Sequence, residues 1–192
     1  MKRILYCLTI FLCACWLPIQ AYLIRDATAA DAPALLTLWQ AVVTTTDSLA
    51  SITRDEITLD WVNDILKATV ENQTIFVAEN EDKSLVGAIW GQKPKLRSLA
   101  HCLVSTIFFV HPDHQNKGLG KQLITYALAN IKQSHPEITR IELGVMASNT
   151  AALNLYSSLG FKIEGRREQK VAKADGTFET EILMALLNPA NS

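Results

Sequence analysis

The sequence predicts an α/β fold in which helices cover both faces of one sheet. Three observations carry that prediction. Apolar residues repeat at helical spacing in some segments, whereas others are short β-branched and aromatic runs. The two kinds follow one another in the order β-α-α-β-β-β-α-β-α-β-β, with no linker between them. One strand, Leu103 to Val110, is apolar almost throughout, as a central strand covered on both faces must be.

Each element has its own local justification. Tyr22 to Arg25 is a short strand. Thr28-Ala-Ala-Asp31 has capping-box spacing and starts a helix from about Asp31 to Val43. Thr44 to Ser51 is polar and loop-like, and Thr53-Arg-Asp-Glu56 is a second capping box, expected to open a helix to about Val70. Thr74 to Glu79 and Leu85 to Trp90 flank polar Asn80 to Ser84 and read as a hairpin. From Gly118 to Gln133, Leu119, Leu123 and Ala127 recur at helical spacing beside Ile124, Leu128 and Ile131, and His135-Pro136 ends the run. Arg140 to Val145 is a strand, and Asn149 to Leu159 is a helix stopped by Gly160. Phe161 to Ala172 and Thr177 to Leu187 are strands joined near Asp175-Gly176, a hairpin signal.

Composition narrows the function. The 192 residues are 49% hydrophobic and 19% charged, the reverse of a disordered chain. Lys plus Arg is 18 and Asp plus Glu is 19, so no basic excess exists to neutralise a phosphate backbone, and nucleic acid is not an expected partner. Cys7, Cys13 and Cys15 lie near the N-terminus, leaving Cys102 alone in the body, and no Cys/His pair has zinc-site spacing. Neither an internal disulfide nor a metal site is expected.

The first residues read differently from the rest. Lys2 and Arg3 precede an uncharged run from Ile4 to Ile19, followed by Gln20-Ala21. This is the pattern of a secretory signal peptide, and the run is short for a membrane span. A cleaved leader, a membrane tether and a mis-assigned start codon stay open as readings. No Met lies between Met1 and Met146, which keeps export in play. The expected organisation is a leader over 1–21, one domain over 22–187 and a tail over 188–192. The body, with its single thiol, suits the cytoplasm.

The chemistry concentrates in Val110-His-Pro-Asp-His-Gln115-Asn-Lys-Gly118-Leu-Gly120, which runs from the end of the central strand into a long helix. Amides at a helix N-terminus lack partners and carry partial positive charge, and glycines there leave room for an anion. The spacing of a nucleoside-triphosphate loop is absent, and Leu123 stands where a dinucleotide fingerprint needs its third glycine. A bare Gly-x-Gly is also an ordinary tight turn.

Two stretches together say more. Val110-x-Pro112-x-x-Gln115-x-x-Gly118-x-Gly120 resembles the coenzyme A-binding motif of the Gcn5-related N-acetyltransferase (GNAT) superfamily. Asn149-Thr-Ala-Ala-Leu-Asn-Leu-Tyr156-Ser-Ser-Leu-Gly160-Phe161 resembles its second signature. The resemblance spans roughly Tyr22 to Leu187. It implies a mixed, mostly antiparallel sheet containing a parallel strand pair that splays apart. The C-terminal part, from Glu164-Gly-Arg-Arg through Asp175-Gly to Glu181-Ile-Leu-Met184, is most similar to bacterial members that acetylate amino acids or other small amines.

The resemblance also implies roles. Main-chain groups of Phe108, Phe109 and Val110 would meet the pantetheine arm of acetyl-coenzyme A, the co-substrate. Amides of Gln115, Asn116, Lys117, Gly118, Leu119 and Gly120 would hold its diphosphate. Gln115 is often Arg in the family, so its contact here would be uncharged. Asn149 suits a helix cap and would also bond the cofactor arm. Tyr156, a core residue by periodicity, would be the general acid for the departing thiolate. Direct attack by an amine on the thioester needs a base for the amine's proton. Glu142, His101 and a water relay are the candidates, and the first two also read as surface residues. Trp61, Trp90 and the loop from Thr44 to Ser51 would line the acceptor side, although both tryptophans also suit the core. The expected partner is a small-molecule amine, with membrane contact only through the leader; a homodimer is left open. A protein N-terminus or lysine as acceptor, and a coenzyme A-binding sensor without transfer activity, are the alternatives.

Overall fold

The structure is a computed structural model that describes residues 22–45, 52–70, 72, 74–173 and 175–189. The leader expected over 1–21 and most of the loop expected over Thr44 to Ser51 lie outside the described residues. The elements are β1 (Leu23–Asp26), α1 (Ala32–Thr45), α2 (Leu59–Val70), β2 (Ile75–Glu79), β3 (Leu85–Gln92), β4 (Cys102–Val110), α3 (Leu119–Ser134), β5 (Arg140–Met146), α4 (Thr150–Ser158), β6 (Lys162–Ala172) and β7 (Phe178–Leu187). Among the described residues no helix is long and apolar enough to cross a membrane.

The strands form one seven-stranded sheet in the order β1-β2-β3-β4-β5-β7-β6. Every neighbouring pair is antiparallel except β4 and β5, which are parallel. This is the mixed, mostly antiparallel sheet that the family resemblance implies. Alternate residues of each strand feed two apolar layers. Ile75, Val77, Trp90 and Phe109 face α1 and α2, while Phe76, Ile89, Leu143 and Met184 belong to the layer that contains α3.

The parallel pair is the irregular part. Its ladder runs Cys102↔Arg140, Leu103↔Ile141 and Thr106↔Leu143, with a register break before Thr106. Ser105 sits in that break with φ +52°, a left-handed conformation costly for a residue with a Cβ. Beyond Thr106 and Leu143 the two strands no longer pair. β4 continues against β3 as far as Gly87↔Val110, and β5 continues against β7 as far as Met146↔Glu181. The centre of β4 is accordingly more open than its two ends, which a fully covered strand would not be.

The first helix starts at Ala32, close to the expected Asp31, and the second helix start differs from the sequence reading. Both capping boxes form, but each opens a short 3-10 turn, Ala29–Asp31 and Arg54–Glu56. The second helix starts only at Leu59, because the chain turns extended at Ile57 to bury that side chain almost completely. Gln40 fixes the detour by donating to the Ile57 carbonyl at 3.0 Å. Helical periodicity does not register one residue that must leave the helix to reach the core.

The first box anchors β1. Asp31 is buried, and its carboxylate accepts from the Thr28 amide at 2.7 Å and from Arg25 at 2.7 and 2.9 Å. Arg25, and then the Thr28 groups, hold the Asp31 carboxyl below its ordinary value of 3.8, against the opposing effect of burial. A carboxyl depressed in the folded state contributes stability above its unfolded value and loses it as pH falls through its folded value. Asp31→Asn should therefore cost about 1.5–3 kcal/mol at pH 7 by denaturant unfolding. The gap between the two proteins should close as pH falls below 3.8. A gap that persists in acid would mean that packing, not charge, is responsible.

Candidate functional site

Where β4 and β5 part, a cleft of about 680 Å³ opens. Ser105 to Val110 form one wall and Gly144, Val145 and Met146 the other. The start of α3 and the inner face of α4 border it, and Trp39 and Trp61 stand on the side of α1 and α2. β4 and β5 have no ladder contacts with each other here. The Thr106 hydroxyl is buried and unbonded.

The turn into α3 follows from three local choices. His111 caps the 3-10 turn Pro112–His114, accepting from the Asp113 amide at 3.3 Å. Asn116 and Gly118 then adopt φ of +59° and +79°, which reverses the chain onto the helix axis. Gln122 donates to the Gly118 carbonyl at 3.1 Å, so Leu119, Gly120 and Lys121 carry the first-turn amides that have no partner within the helix.

The two glycines serve different ends. A Cβ on Gly118 would have open space, with Gln122 Nε2 at 3.9 Å, so its need is conformational. A Cβ on Gly120 would stand 3.1 Å from the Phe108 ring and 3.5 Å from Leu155, so its need is close packing of α3 against β4 and α4.

The residues expected at the site divide three ways. Phe108, Phe109, Val110, Gln115, Asn116, Gly118, Gly120, Asn149 and Tyr156 all line the cleft. Leu119 does not, its side chain being fully buried in the core. Lys117 is exposed and outside the lining, and the cation that borders the cleft from this helix is Lys121. The Gln115 side chain bends back to donate to the Val110 carbonyl at 3.1 Å, so its amide group braces the turn. The Phe109 ring is core, stacked on Trp39 at 5.4 Å.

α4 presents Asn149 and Tyr156. Asn149 caps the helix, its side-chain oxygen accepting from the Ala152 amide at 3.1 Å. Tyr156 is 7% exposed and packs between Phe108 and Phe161, with ring centroids at 6.4 and 5.6 Å. Among the described residues no group hydrogen-bonds to its hydroxyl. Burial pushes the phenol above its ordinary value of 10.0. It therefore stays protonated at neutral pH, as a proton donor must.

On the acceptor side, His101, Glu142 and Trp90 take their surface and core readings. His101 lies at the opposite end of β4, its carbonyl accepting from the Thr139 and Arg140 amides. Glu142 is paired with Arg140 at 2.6 Å. Neither of these base candidates lines the cleft. Trp90 is buried against Trp39, so Trp39 and Trp61, 4.6 Å apart, form the aromatic wall instead. Among the described residues one carboxylate lines the cleft, that of Glu181 on β7. Nothing local in the sequence marks Glu181, because its neighbour Gly144 lies 37 positions away on another strand.

Comparisons with known proteins agree with this geometry. The acetyltransferase (GNAT) family matches residues 37–161. The chain is 28% identical to the L-amino acid N-acyltransferase MnaT of Escherichia coli over 149 residues, 76% of this chain and 83% of that protein. It is 38% identical to the [Ribosomal protein bS18]-alanine N-acetyltransferase of E. coli over 77 residues, 40% of this chain and 50% of that one. In three dimensions it superposes on the acetyltransferase of GNAT family from Streptococcus pneumoniae with a TM-score of 0.76 and 25% identity, covering 87% of this chain and 99% of that one.

The turn supplies a direct test of its conformational basis. Gly118→Ala should lose about 1–2 kcal/mol of stability through the left-handed backbone alone, and Gly118→Asn distinctly less. Equal denaturant midpoints for wild type and the Ala variant would contradict a strained turn at this position.

Proposed function

The chain belongs to the acetyltransferase (GNAT) family, and on that premise we propose that it transfers an acetyl group from acetyl-coenzyme A to the primary amine of a small molecule or amino acid. The observation that carries the proposal is the cleft between β4 and β5. First-turn amides without a partner inside the helix stand at one end, and Tyr156, whose hydroxyl has no hydrogen-bond partner among the described residues, lines it. That arrangement fits a co-substrate with a diphosphate, an amide-bearing arm and a thioester, in that order.

In this reading the first-turn amides of α3 hold the diphosphate, with Lys121 adding charge. Main-chain groups of Phe108 to Val110 run beside the pantetheine arm as a replacement strand, and Asn149 stands next to it. The acceptor nitrogen attacks the thioester carbonyl carbon directly. A main-chain amide of β4 stabilises the oxyanion. As the carbon–sulfur bond breaks, the Tyr156 hydroxyl gives its proton to the thiolate. Trp39 and Trp61 shape the acceptor end.

The small-amine ranking rests on the resemblance of the C-terminal strands to members that acetylate amino acids. Breadth of likeness does not decide it, because the amino-acid acyltransferase relative and a peptidyl-lysine N-acetyltransferase of E. coli both match across most of both chains. Mass spectrometry of products from acetyl-coenzyme A with a panel of amino acids, small amines and peptides tests the ranking. Acetylated small amines are the expected result, and turnover of peptides alone would overturn it.

Tyr156→Phe should lower kcat by about 100-fold or more while calorimetric affinity for coenzyme A stays within a few-fold. Because burial raises the Tyr156 phenol above 10.0, wild-type kcat should not decline through pH 9 on account of this group. Undiminished turnover in the Phe variant would remove Tyr156 from the role.

A further inference from the structure

We propose that Glu181 is the acceptor-side carboxylate: it binds the acceptor's ammonium group and takes a proton from it, through a space that Gly144 leaves open. The inference rests on the amine-transfer reading above and names a catalytic residue for it.

The placement follows from the sheet. Residue 144 stands one position beyond Leu143, the last residue of β5 paired with β4. A side chain at 144 would project into the mouth of the cleft. Glycine stands there instead, and the volume is filled from the next strand. Glu181 on β7 lies opposite Met146 and therefore on the same face of the sheet as Gly144. Its side chain leans along the diagonal toward Gly144, so closely that a Cβ on residue 144 would sit 2.1 Å from Glu181 Oε1. One oxygen, Oε2, accepts from Arg167 of β6 at 3.1 Å. Among the described residues no hydrogen-bond donor reaches the other, Oε1.

The electrostatic surroundings suit a cationic acceptor. β5 presents only uncharged Gly144, Val145 and Met146 to the cleft. Glu179, on the same face of β7, is paired with Lys173 at 2.8 Å. Lys121 and Tyr156 border the same cleft from α3 and α4. Arg167 orients the carboxylate and leaves one oxygen for the substrate.

The proton balance closes with these groups. A primary ammonium has no lone pair and cannot attack. Its first proton passes to Glu181, and the neutral nitrogen forms a bond to the thioester carbon. The carbon–sulfur bond breaks, and the thiolate takes the proton of Tyr156. The second proton on nitrogen leaves as the amide forms and restores Tyr156, and Glu181 releases its proton to solvent. The products are an acetamide, the free thiol and one proton.

The test uses the full chain, acetyl-coenzyme A and the best amine from the panel, with kinetics from pH 6 to 10 and calorimetry with coenzyme A. Glu181→Gln should keep coenzyme A affinity within about twofold and lose kcat/KM for the amine by about 100-fold at pH 7. The deficit should shrink as pH approaches the amine's own pKa, because neutral amine then arrives from solution. Gly144→Ala keeps the carboxylate but displaces it, and should show a similar loss with the same rescue at high pH. It also serves as the second variant if Glu181→Gln fails to fold. An active wild type whose Glu181→Gln variant keeps its rate and pH profile would overturn this inference alone. So would a loss of coenzyme A affinity that matches the loss of rate. A wild type that binds acetyl-coenzyme A but acetylates no amine would overturn the transfer reading and this inference with it.

Discussion

Everything at the site depends on one interruption: two parallel strands that begin as partners and stop being so. Pairing between β4 and β5 ends at Thr106↔Leu143, just after Ser105 takes a left-handed backbone angle and shifts the register. Exposing paired main chain is expensive, so such an opening persists only where each strand is held from its other side. β4 keeps its antiparallel ladder to β3, and β5 keeps its ladder to β7, through the whole parted stretch. The sheet thus stays continuous at its flanks while the facing edges of β4 and β5 at its centre have no ladder contacts with each other.

That opening would be an empty wedge without the elements around it. The long helix α3 brings its N-terminus to one end, and the glycine at its cap sets the approach angle. Close packing of Gly120 on the Phe108 ring keeps helix and strand in contact where a side chain would part them. α4 closes the inner face with Tyr156, whose ring packs between two phenylalanines and whose hydroxyl has no hydrogen-bond partner among the described residues. Two tryptophans in tilted contact, from α1 and α2, form the remaining wall. One end of the cleft is built from main chain and the other from side chains, which in the proposed function suits a shared cofactor and a variable acceptor.

Local signals in the sequence made much of this legible. The cap at Asn149, the left-handed stop at Gly160 and the hairpin at Asp175-Gly176 are each written within a few residues, and each appears in the structure. The parted pair could not be read from periodicity; it came with the family resemblance, carried by two short motifs. What escaped was set by distance. Ile57 leaves its helix because of a pocket built by other elements. Gln115 looks like a ligand contact in the motif, yet its side chain serves the turn. Trp90 and Trp39 are indistinguishable by composition, and only the sheet decides which one reaches the cleft. Glu181 is the strongest instance, since its meaning comes from an absent side chain on a neighbouring strand.

The most direct measurement is an amide-resolved NMR titration with coenzyme A. The parted-strand cleft predicts the largest shift changes at the amides of Gly118 to Lys121 and of Ile107 to Val110, with little change along β1 and β2. Saturable binding that leaves those two stretches unmoved, or shifts confined to another face of the sheet, would contradict it.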